Sequence, residues 1–254
     1  MIRLTPYCFA TILSISTIAC SSSWNVTDVK RTQLLVDDSY DEHIPSDVTE
    51  WIKPYSAAVD SIVKPVVGHA ARQMKGERPE SLLSNLYADI LVYAARQLGE
   101  NPVMGVCNMG GIRASLPQGE VTFGDVLEVA PFENKIVFLT LKGSELTELF
   151  ENMAAVGGEG VSHGVELRIS KNKKLTSARL HQETIVPDKD YRIVTIDYLA
   201  EGNDKMYAFT KKHDYVAPKG EQYDTRFIIA NYFRDMMKQG IVVDAKIEGR
   251  IIIE

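Results

Sequence analysis

Hydrophobic residues return along the first half of the chain at the spacing of α-helices. The strongest pattern covers residues 80–98, where leucine, isoleucine and alanine form one apolar face and Gly99 follows as a stop signal. Apolar positions in residues 51–74 fit the same spacing, with Pro54 and Pro65 as interruptions. We therefore predict two helices before residue 100.

Beyond residue 100, short apolar runs alternate with amphipathic stretches. The apolar runs predict strands at residues 103–107, 135–141, 164–169, 177–181, 191–196 and 246–253. The amphipathic stretches predict helices at residues 122–129, 144–155 and 225–238, the last with Asp224 as a candidate N-cap. Because hairpins are mixed with helices, we predict the α+β class, with a mixed β-sheet covered by helices.

Residues 1–20 have the features of an export signal. Arg3 supplies a positive charge, residues 7–19 are apolar or small, and Cys20 is followed by serines. The apolar stretch is too short to span a bilayer as a permanent helix. It resembles a bacterial lipoprotein signal, although Thr17 stands where leucine is usual. We expect cleavage before Cys20 and lipidation of its thiol, with a plain secretory signal as the alternative.

Composition limits what the rest of the chain can do. Residues 21–50 are polar and acid-rich and predict a tether, whereas residues 51–254 are long and apolar enough for one domain. The net charge of −6 argues against a nucleic-acid partner, which would require a cationic surface. After signal removal and lipidation Cys107 stands alone, so we expect a buried thiol and no disulfide.

A glycine-containing loop follows the predicted strand at residues 103–107. Gly110 and Gly111 should allow positive φ and a close approach of the backbone to a ligand. Asn108 can donate and accept hydrogen bonds, and the planar guanidinium of Arg113 suits a phosphate group. The loop is equally compatible with a tight turn that carries an exposed arginine.

Two later loops carry aromatic residues at the ends of predicted strands. In residues 129–134, Phe132 follows a proline and can either stack on a base or join the core. In residues 197–204, Tyr198 can stack from the opposite side while Asp204 accepts a hydrogen bond from a ribose hydroxyl. The alternative for this second loop is a surface turn with a capping aspartate.

These loops belong to a series of short motifs that runs from about residue 80 to the end. The motifs lie at residues 84–86, 108–113, 124–126, 130–134, 142–143, 198–204 and 248–250. In their order and spacing they resemble the C-terminal domain of the 5'-nucleotidase family. The resemblance implies a nucleotide-binding domain of that fold in residues 51–254.

The resemblance also implies roles for individual residues. Asn108 and Arg113 would contact the nucleotide, Phe132 and Tyr198 would sandwich the base, and Asp204 would bind the ribose. Base stacking between two rings tolerates different bases, so a broad nucleoside specificity is expected.

Two positions depart from the family pattern. The family's phosphate-binding arginine stands where this chain has Pro79, and Arg78, one residue earlier, is the candidate for that role. The family's paired glycines in the last loop appear as Gly202 and Asn203, and asparagine tolerates left-handed geometry.

The enzymes of this family also carry a preceding metallophosphatase domain with two metal ions and the motifs Asp-x-His, Gly-Asn-His-Asp/Glu and Gly-His-x-His. None of the five histidines here forms a His-x-His or Asn-His pair. The triplet Asp41-Glu42-His43 matches Asp-x-His literally, but we interpret it as a coincidence within the tether. We therefore expect no metal site, cofactor or catalytic residue in this chain, and a divalent metal pair in a partner metallophosphatase.

These observations lead to one functional prediction and two alternatives. We predict the nucleotide-binding half of a split 5'-nucleotidase, which binds a nucleoside 5'-monophosphate or nucleoside while a separately encoded metallophosphatase hydrolyses the phosphate. It would be lipid-anchored at the periplasmic side of a bacterial membrane, or periplasmic or secreted without lipid. The alternatives are a stand-alone nucleoside- or nucleotide-binding lipoprotein and a remnant whose cleft no longer binds.

Overall fold

A computed structural model describes residues 25–35, 37, 39 and 44–254. The predicted signal at residues 1–20, the lipidation site Cys20 and the triplet Asp41-Glu42-His43 lie outside the described residues. The chain divides into two units, Met1–Trp51 and Ile52–Glu254. Among the helices of the described ranges, none is both long and apolar enough to cross a bilayer.

Six α-helices form in the described residues. They are α1 (Ser46–Val63), α2 (Leu82–Gln97), α3 (Phe123–Val129), α4 (Gly143–Val156), α5 (Asp197–Ala200) and α6 (Thr225–Lys238). Helix α2 begins where Ser81 and Ser84 form a reciprocal capping box, and α3 begins at an equivalent pair made by Thr122 and Asp125. Local capping residues therefore determine where these two helices begin.

Eleven β-strands form in the same part of the chain. They are β1 (Val66–Ala70), β2 (Met104–Cys107), β3 (Gly119–Thr122), β4 (Ile136–Lys142), β5 (Gly160–Val161), β6 (Val165–Ile169), β7 (Leu175–Leu180), β8 (Glu183–Thr184), β9 (Asp190–Ile196), β10 (His213–Val216) and β11 (Ile251–Ile253). Strand β11 is shorter than the predicted strand at residues 246–253 because pairing with β6 begins only at Ile251.

The predicted helix at residues 51–74 is wrong beyond residue 63. Helix α1 ends at Val63, and the residues after Pro65 form β1, which pairs antiparallel with β3. Pro65 cannot donate a helical hydrogen bond, and its carbonyl instead accepts from the amide of Phe123 at 3.0 Å. The β-branched residues after it then favour the extended conformation.

The central sheet has five strands in the order β10-β4-β9-β2-β5. Strand β9 pairs parallel with β2 and antiparallel with β4, so the sheet is mixed. Strands β2, β4 and β9 are almost entirely buried, and a second sheet has the order β11-β6-β7-β8. The predicted α+β class with a mixed sheet covered by helices is confirmed.

Cys107 ends β2 and is a free, buried cysteine. Burial raises the pKa of its thiol above the usual range, so the thiol stays protonated at neutral pH. This confirms the prediction that Cys107 packs as a small hydrophobic residue.

Candidate functional site

The topology of the central sheet brings three loops to one edge. Strands β2 and β9 are parallel neighbours, so their carboxyl ends, Cys107 and Ile196, face the same edge. Strand β4 runs antiparallel to β9 and begins beside Ile196. The loops after β2, after β9 and before β4 therefore meet there, although they are far apart in the sequence.

The loop after β2 is a short 3₁₀ turn, Met109–Gly111, preceded by the buried Asn108. Neither Gly110 nor Gly111 has a positive φ, so the prediction of left-handed geometry at these glycines is wrong. Packing explains Gly111 instead, because a Cβ there would lie 2.5 Å from Asn108 Oδ1. A Cβ on Gly110 would meet Asp204 Oδ2 at 3.5 Å, an ordinary contact.

Asn108, Asp204 and Tyr198 form a hydrogen-bonded chain between two of the loops. Asn108 Nδ2 donates to Asp204 Oδ2 at 2.7 Å, and the Tyr198 hydroxyl donates to Asp204 Oδ1 at 3.1 Å. This hydrogen bond to Asp204 raises the pKa of Tyr198 above its usual value. At neutral pH the phenol is therefore a neutral donor, and the carboxylate is held by donors on both sides.

The left-handed positions of the last loop are Gly202, Asp204 and Lys205, and Asn203 is not among them. Gly202 has a φ of 84°, Asp204 of 52° and Lys205 of 68°, whereas Asn203 does not have a positive φ. Asn203 instead donates from Nδ2 to the carbonyl oxygen of Tyr198 at 2.8 Å. The tolerance of asparagine for left-handed geometry is therefore not used at Asn203, and the strained non-glycine backbone lies at Asp204 and Lys205.

Phe132 and Tyr198 both project out of the core. Phe132 is 46% exposed and Tyr198 is 40% exposed, which excludes the alternative that Phe132 joins the core. In the described part of the chain, no ring-to-ring contact involves either residue. Both aromatic side chains therefore have surface available for a ligand.

Ion pairs at the start of α6 hold the loop that carries Phe132. The amide of Thr225 donates to the carbonyl oxygen of Asn134 at 2.8 Å, and Lys135 Nζ contacts the buried Asp224 at 2.7 Å. Arg226 pairs with Glu133 at 3.0 Å. These contacts at the three residues that follow Phe132 restrict the loop, and its ring stays 46% exposed.

Together the three loops enclose a cleft of about 380 Å³. Its lining residues are Asn108, Gly110, Arg113, Phe132, Asn134, Tyr198 and Asp204. Six of the eight predicted substrate-binding residues are among them; Gly111 and Arg78 are not. Asn134 also lines the cleft and was not predicted from the sequence, although it lies in the same motif as Phe132.

A second cavity, of about 430 Å³, includes His163, His181 and Arg250 among its lining residues. Both arginines that line it are paired, Arg250 with Asp89 at 2.7 Å and Arg168 with Glu254 at 3.7 Å, and no aromatic ring other than histidine lines it. The smaller cleft is therefore the better candidate for an organic ligand.

A family model described as 5'-nucleotidase, C-terminal domain, matches residues 65–211, which are 147 of the 254 residues. The chain belongs to the 5'-nucleotidase C-terminal domain family. The residues at the cleft from Asn108 to Asp204 all lie within the matched range.

Similar proteins extend well beyond this domain. The chain is 26% identical to Protein UshA of Salmonella pullorum over 182 residues, which are 70% of this chain and 32% of that protein. It is 27% identical to the trifunctional nucleotide phosphoesterase protein YfkN of Bacillus subtilis, over 89% of this chain and 16% of that protein. The chain thus spans about a third or less of the length of these relatives.

The fold matches a solved structure as well. The crystal structure of a 5'-nucleotidase precursor from Thermus thermophilus superposes with a TM-score of 0.70 and 26% identity. The match covers 82% of this chain and 43% of that chain. The 5'-nucleotidase C-terminal fold predicted from the motifs is confirmed.

Two arginines of this 5'-nucleotidase C-terminal domain differ in what they contact. Arg113 is exposed, donates to the carbonyl oxygen of Gly110 at 3.4 Å and forms no salt bridge within the described chain. Arg78 donates from Nε to the carbonyl oxygen of Gly158 at 2.7 Å and pairs through Nη2 with Glu159. Arg113 therefore has a guanidinium available to the cleft, whereas Arg78 is engaged outside the lining.

Glu159 is a further residue in contact with the glycine-containing loop and was not predicted from the sequence. Its side chain is completely buried, and its Oε2 accepts from the amide of Met109 at 2.5 Å. Burial raises the pKa of this carboxyl, while the Met109 amide and Arg78 oppose the rise. An acidic residue between two glycines gave no local sign of this contact across about fifty residues of sequence.

Proposed function

We propose that this domain binds the nucleoside part of a nucleoside 5'-monophosphate, and the free nucleoside, in the cleft at the end of β2 and β9. The observation that carries the proposal is the cleft itself, which combines two half-exposed aromatic residues with an ordered carboxylate and a guanidinium that forms no salt bridge among the described residues. Clefts of a few hundred cubic ångströms with few polar groups are typical of small-ligand sites.

The base binds against Phe132 and Tyr198. Stacking of a base on an aromatic side chain contributes about 1–3 kcal/mol per base and tolerates different bases, because every base has a π-face. Broad specificity among adenine, guanine and pyrimidine nucleosides follows.

The ribose binds at Asp204. Each oxygen of this carboxylate accepts one hydrogen bond within the protein, from Tyr198 or from Asn108, and retains capacity for another. A ribose hydroxyl can therefore donate to Asp204 without displacing either protein donor. Asn134 adds a polar side chain on the opposite loop.

Hydrolysis of the phosphate requires groups that this proposal assigns to another polypeptide. Within the described ranges, no three His, Cys, Asp or Glu side chains come close enough to hold a metal ion. In the proposal, the divalent metal pair belongs to a separately encoded metallophosphatase that docks with this domain. The relatives named as nucleotidases and as a nucleotide phosphoesterase support this class of reaction.

We place the assembly at the periplasmic side of a bacterial membrane, anchored through a lipid on Cys20. The support for this location is the sequence of residues 1–20 alone.

Calorimetry with adenosine and AMP tests the binding proposal. Tyr198→Ala should weaken binding of both ligands about tenfold, because it removes one stacking partner. Tyr215→Ala is the matched control, since Tyr215 is also 40% exposed but lies on β10, outside the cleft. Absence of heat with either ligand, or equal losses in both variants, would refute the proposal.

A reconstitution assay tests the split arrangement. AMP hydrolysis is measured for this protein, for a metallophosphatase co-purified with it, and for the mixture, each with divalent metal. We expect activity to increase on mixing and this protein alone to be inactive. Tight nucleoside binding without any metallophosphatase partner would favour the stand-alone binding lipoprotein instead.

A further inference from the structure

A buried carboxylate connects Arg78 to the loop that carries Asn108. Glu159 accepts the amide of Met109 through Oε2 and the Arg78 guanidinium through Oε1. Close packing holds it there, because a Cβ on the neighbouring Gly158 would lie 2.8 Å from the carbonyl oxygen of Pro79. Arg78 also donates to the Gly158 carbonyl oxygen, so it contacts both the backbone before Glu159 and the Glu159 side chain.

The amide of Met109 needs an acceptor because it is the first amide of the 3₁₀ turn. A capping side chain in the position of Asn108 accepts from the second or third amide of a helix, so such a cap does not serve the Met109 amide. Among the described contacts, Asn108 makes no capping hydrogen bond, and its Nδ2 donates to Asp204. Glu159 therefore satisfies the first amide of the turn, and Asn108, the adjacent residue, holds the carboxylate of the cleft.

A buried carboxylate in this role requires a cation beside it. An isolated charge inside a protein is strongly disfavoured, and pairing with a guanidinium offsets that cost. Arg78 is the residue that pairs with Glu159 in the described chain. The protein itself thus engages Nε and Nη2 of Arg78, whose side chain is 41% exposed.

We propose that Arg78 and Glu159 are a pair of positioning residues for the proposed nucleoside site. The pair holds the Met109–Gly111 turn and, through Asn108, the Asp204 carboxylate in the geometry that receives the ribose. Arg78 acts through Glu159 and does not bind the phosphate. Arg113 is then the cation that meets the phosphate, so the cleft distinguishes weakly between a nucleoside and its 5'-monophosphate. This inference rests on the function proposed above.

The binding test compares Arg78→Met, Glu159→Gln and the double variant, using adenosine and AMP as ligands. In Glu159→Gln the amide NH₂ must face Arg78 or the Met109 amide, and both are donors. We expect each single variant to bind adenosine and AMP about tenfold more weakly. In the double variant the glutamine oxygen can accept from Met109 without opposing Arg78, so affinity should return to within about threefold of the native protein.

Arg192→Met is the matched control for general destabilisation. It breaks another partly buried pair, Arg192 with Glu100 at 2.7 Å, which does not contact the glycine-containing loop. It should leave both affinities unchanged. A loss in Arg78→Met that is confined to AMP would show that Arg78 binds phosphate and would overturn the inference, as would native affinity for adenosine in Glu159→Gln.

A second measurement does not depend on ligand. In amide NMR spectra, the Met109 amide and the Asn108 side-chain amide should both shift in Glu159→Gln and stay in place in Arg192→Met. If the native protein bound neither adenosine nor AMP, the proposed function would fail while these shifts still established the positioning contact. Unchanged Met109 and Asn108 resonances in Glu159→Gln would overturn the contact itself.

Discussion

Substitution of the two adjacent glycines tests whether packing, rather than backbone freedom, explains the glycine-containing loop. In Gly111→Ala the new methyl carbon would lie 2.5 Å from Asn108 Oδ1 and 3.2 Å from its Cγ. Asn108 is buried, so its side chain cannot move into solvent without loss of its hydrogen bond to Asp204. In Gly110→Ala the nearest atom is Asp204 Oδ2 at 3.5 Å, which is a normal contact.

The magnitude follows from these contacts. Overpacking costs about 1–3 kcal/mol, and loss of a hydrogen bond to a charged group costs about 1.5–3 kcal/mol. The protein relaxes along the cheaper of these routes, so the costs do not add. Alanine lowers the entropy of the unfolded chain by a similar amount at both positions, so this effect cancels in the comparison. The packing cost remains, and the free energy of unfolding of Gly111→Ala should be about 2 kcal/mol lower than that of Gly110→Ala.

Urea denaturation of both variants measures this difference directly, and the melting temperatures should differ by about 4–8 °C for a domain of this size. The two variants share neighbouring positions, residue type and solvent conditions, so each is the control for the other. If the free energies of unfolding of the two variants agreed within about 0.5 kcal/mol, the packing argument would be refuted. Backbone conformation would then be the better explanation for the glycines.

Three further predictions concern the cleft and the fold around it. Phe132→Ala should weaken adenosine binding about tenfold, as measured by calorimetry, because it removes a stacking surface. The melting temperature should stay nearly unchanged because the ring is half-exposed, and a large fall in melting temperature would mean that the ring packs in the core. Thr122→Ala should destabilise the protein by about 1 kcal/mol in urea, because it removes the cap that accepts from the amide of Asp125; unchanged stability would contradict the cap. Hydrogen bonds from Arg192 hold the pKa of Glu100 below 4.5, so its stabilising contribution is full above that pH and is lost as the pH falls through the lowered value. Glu100→Gln should therefore be less stable than the native protein at pH 7 and approach it in acid, and a difference that is constant with pH would contradict the ion pair.

Much of the candidate site could be predicted from the sequence because its residues stand in short motifs. Asn108, Phe132, Tyr198 and Asp204 each follow or precede a strand whose apolar run is evident in the chain. Turn residues and buried strands leave a local signal, and several motifs in one order specify a family more strongly than any single one. The helix at residues 80–98 was predictable for the same reason, since its apolar face and its stop signal are local.

Contacts between distant segments were decided only by the tertiary structure. Residues 66–70, predicted to be helical, form strand β1 and pair with β3. The need for glycine at position 111 follows from the Asn108 side chain, which packs against it. The contact of Glu159 with Met109 joins residues about fifty positions apart, and that of Arg78 with Glu159 joins residues about eighty apart. Periodicity and turn composition report on residues that are close together in the sequence. These contacts instead depend on which segments pack together when the sheet forms, and a local pattern of residues does not determine that packing.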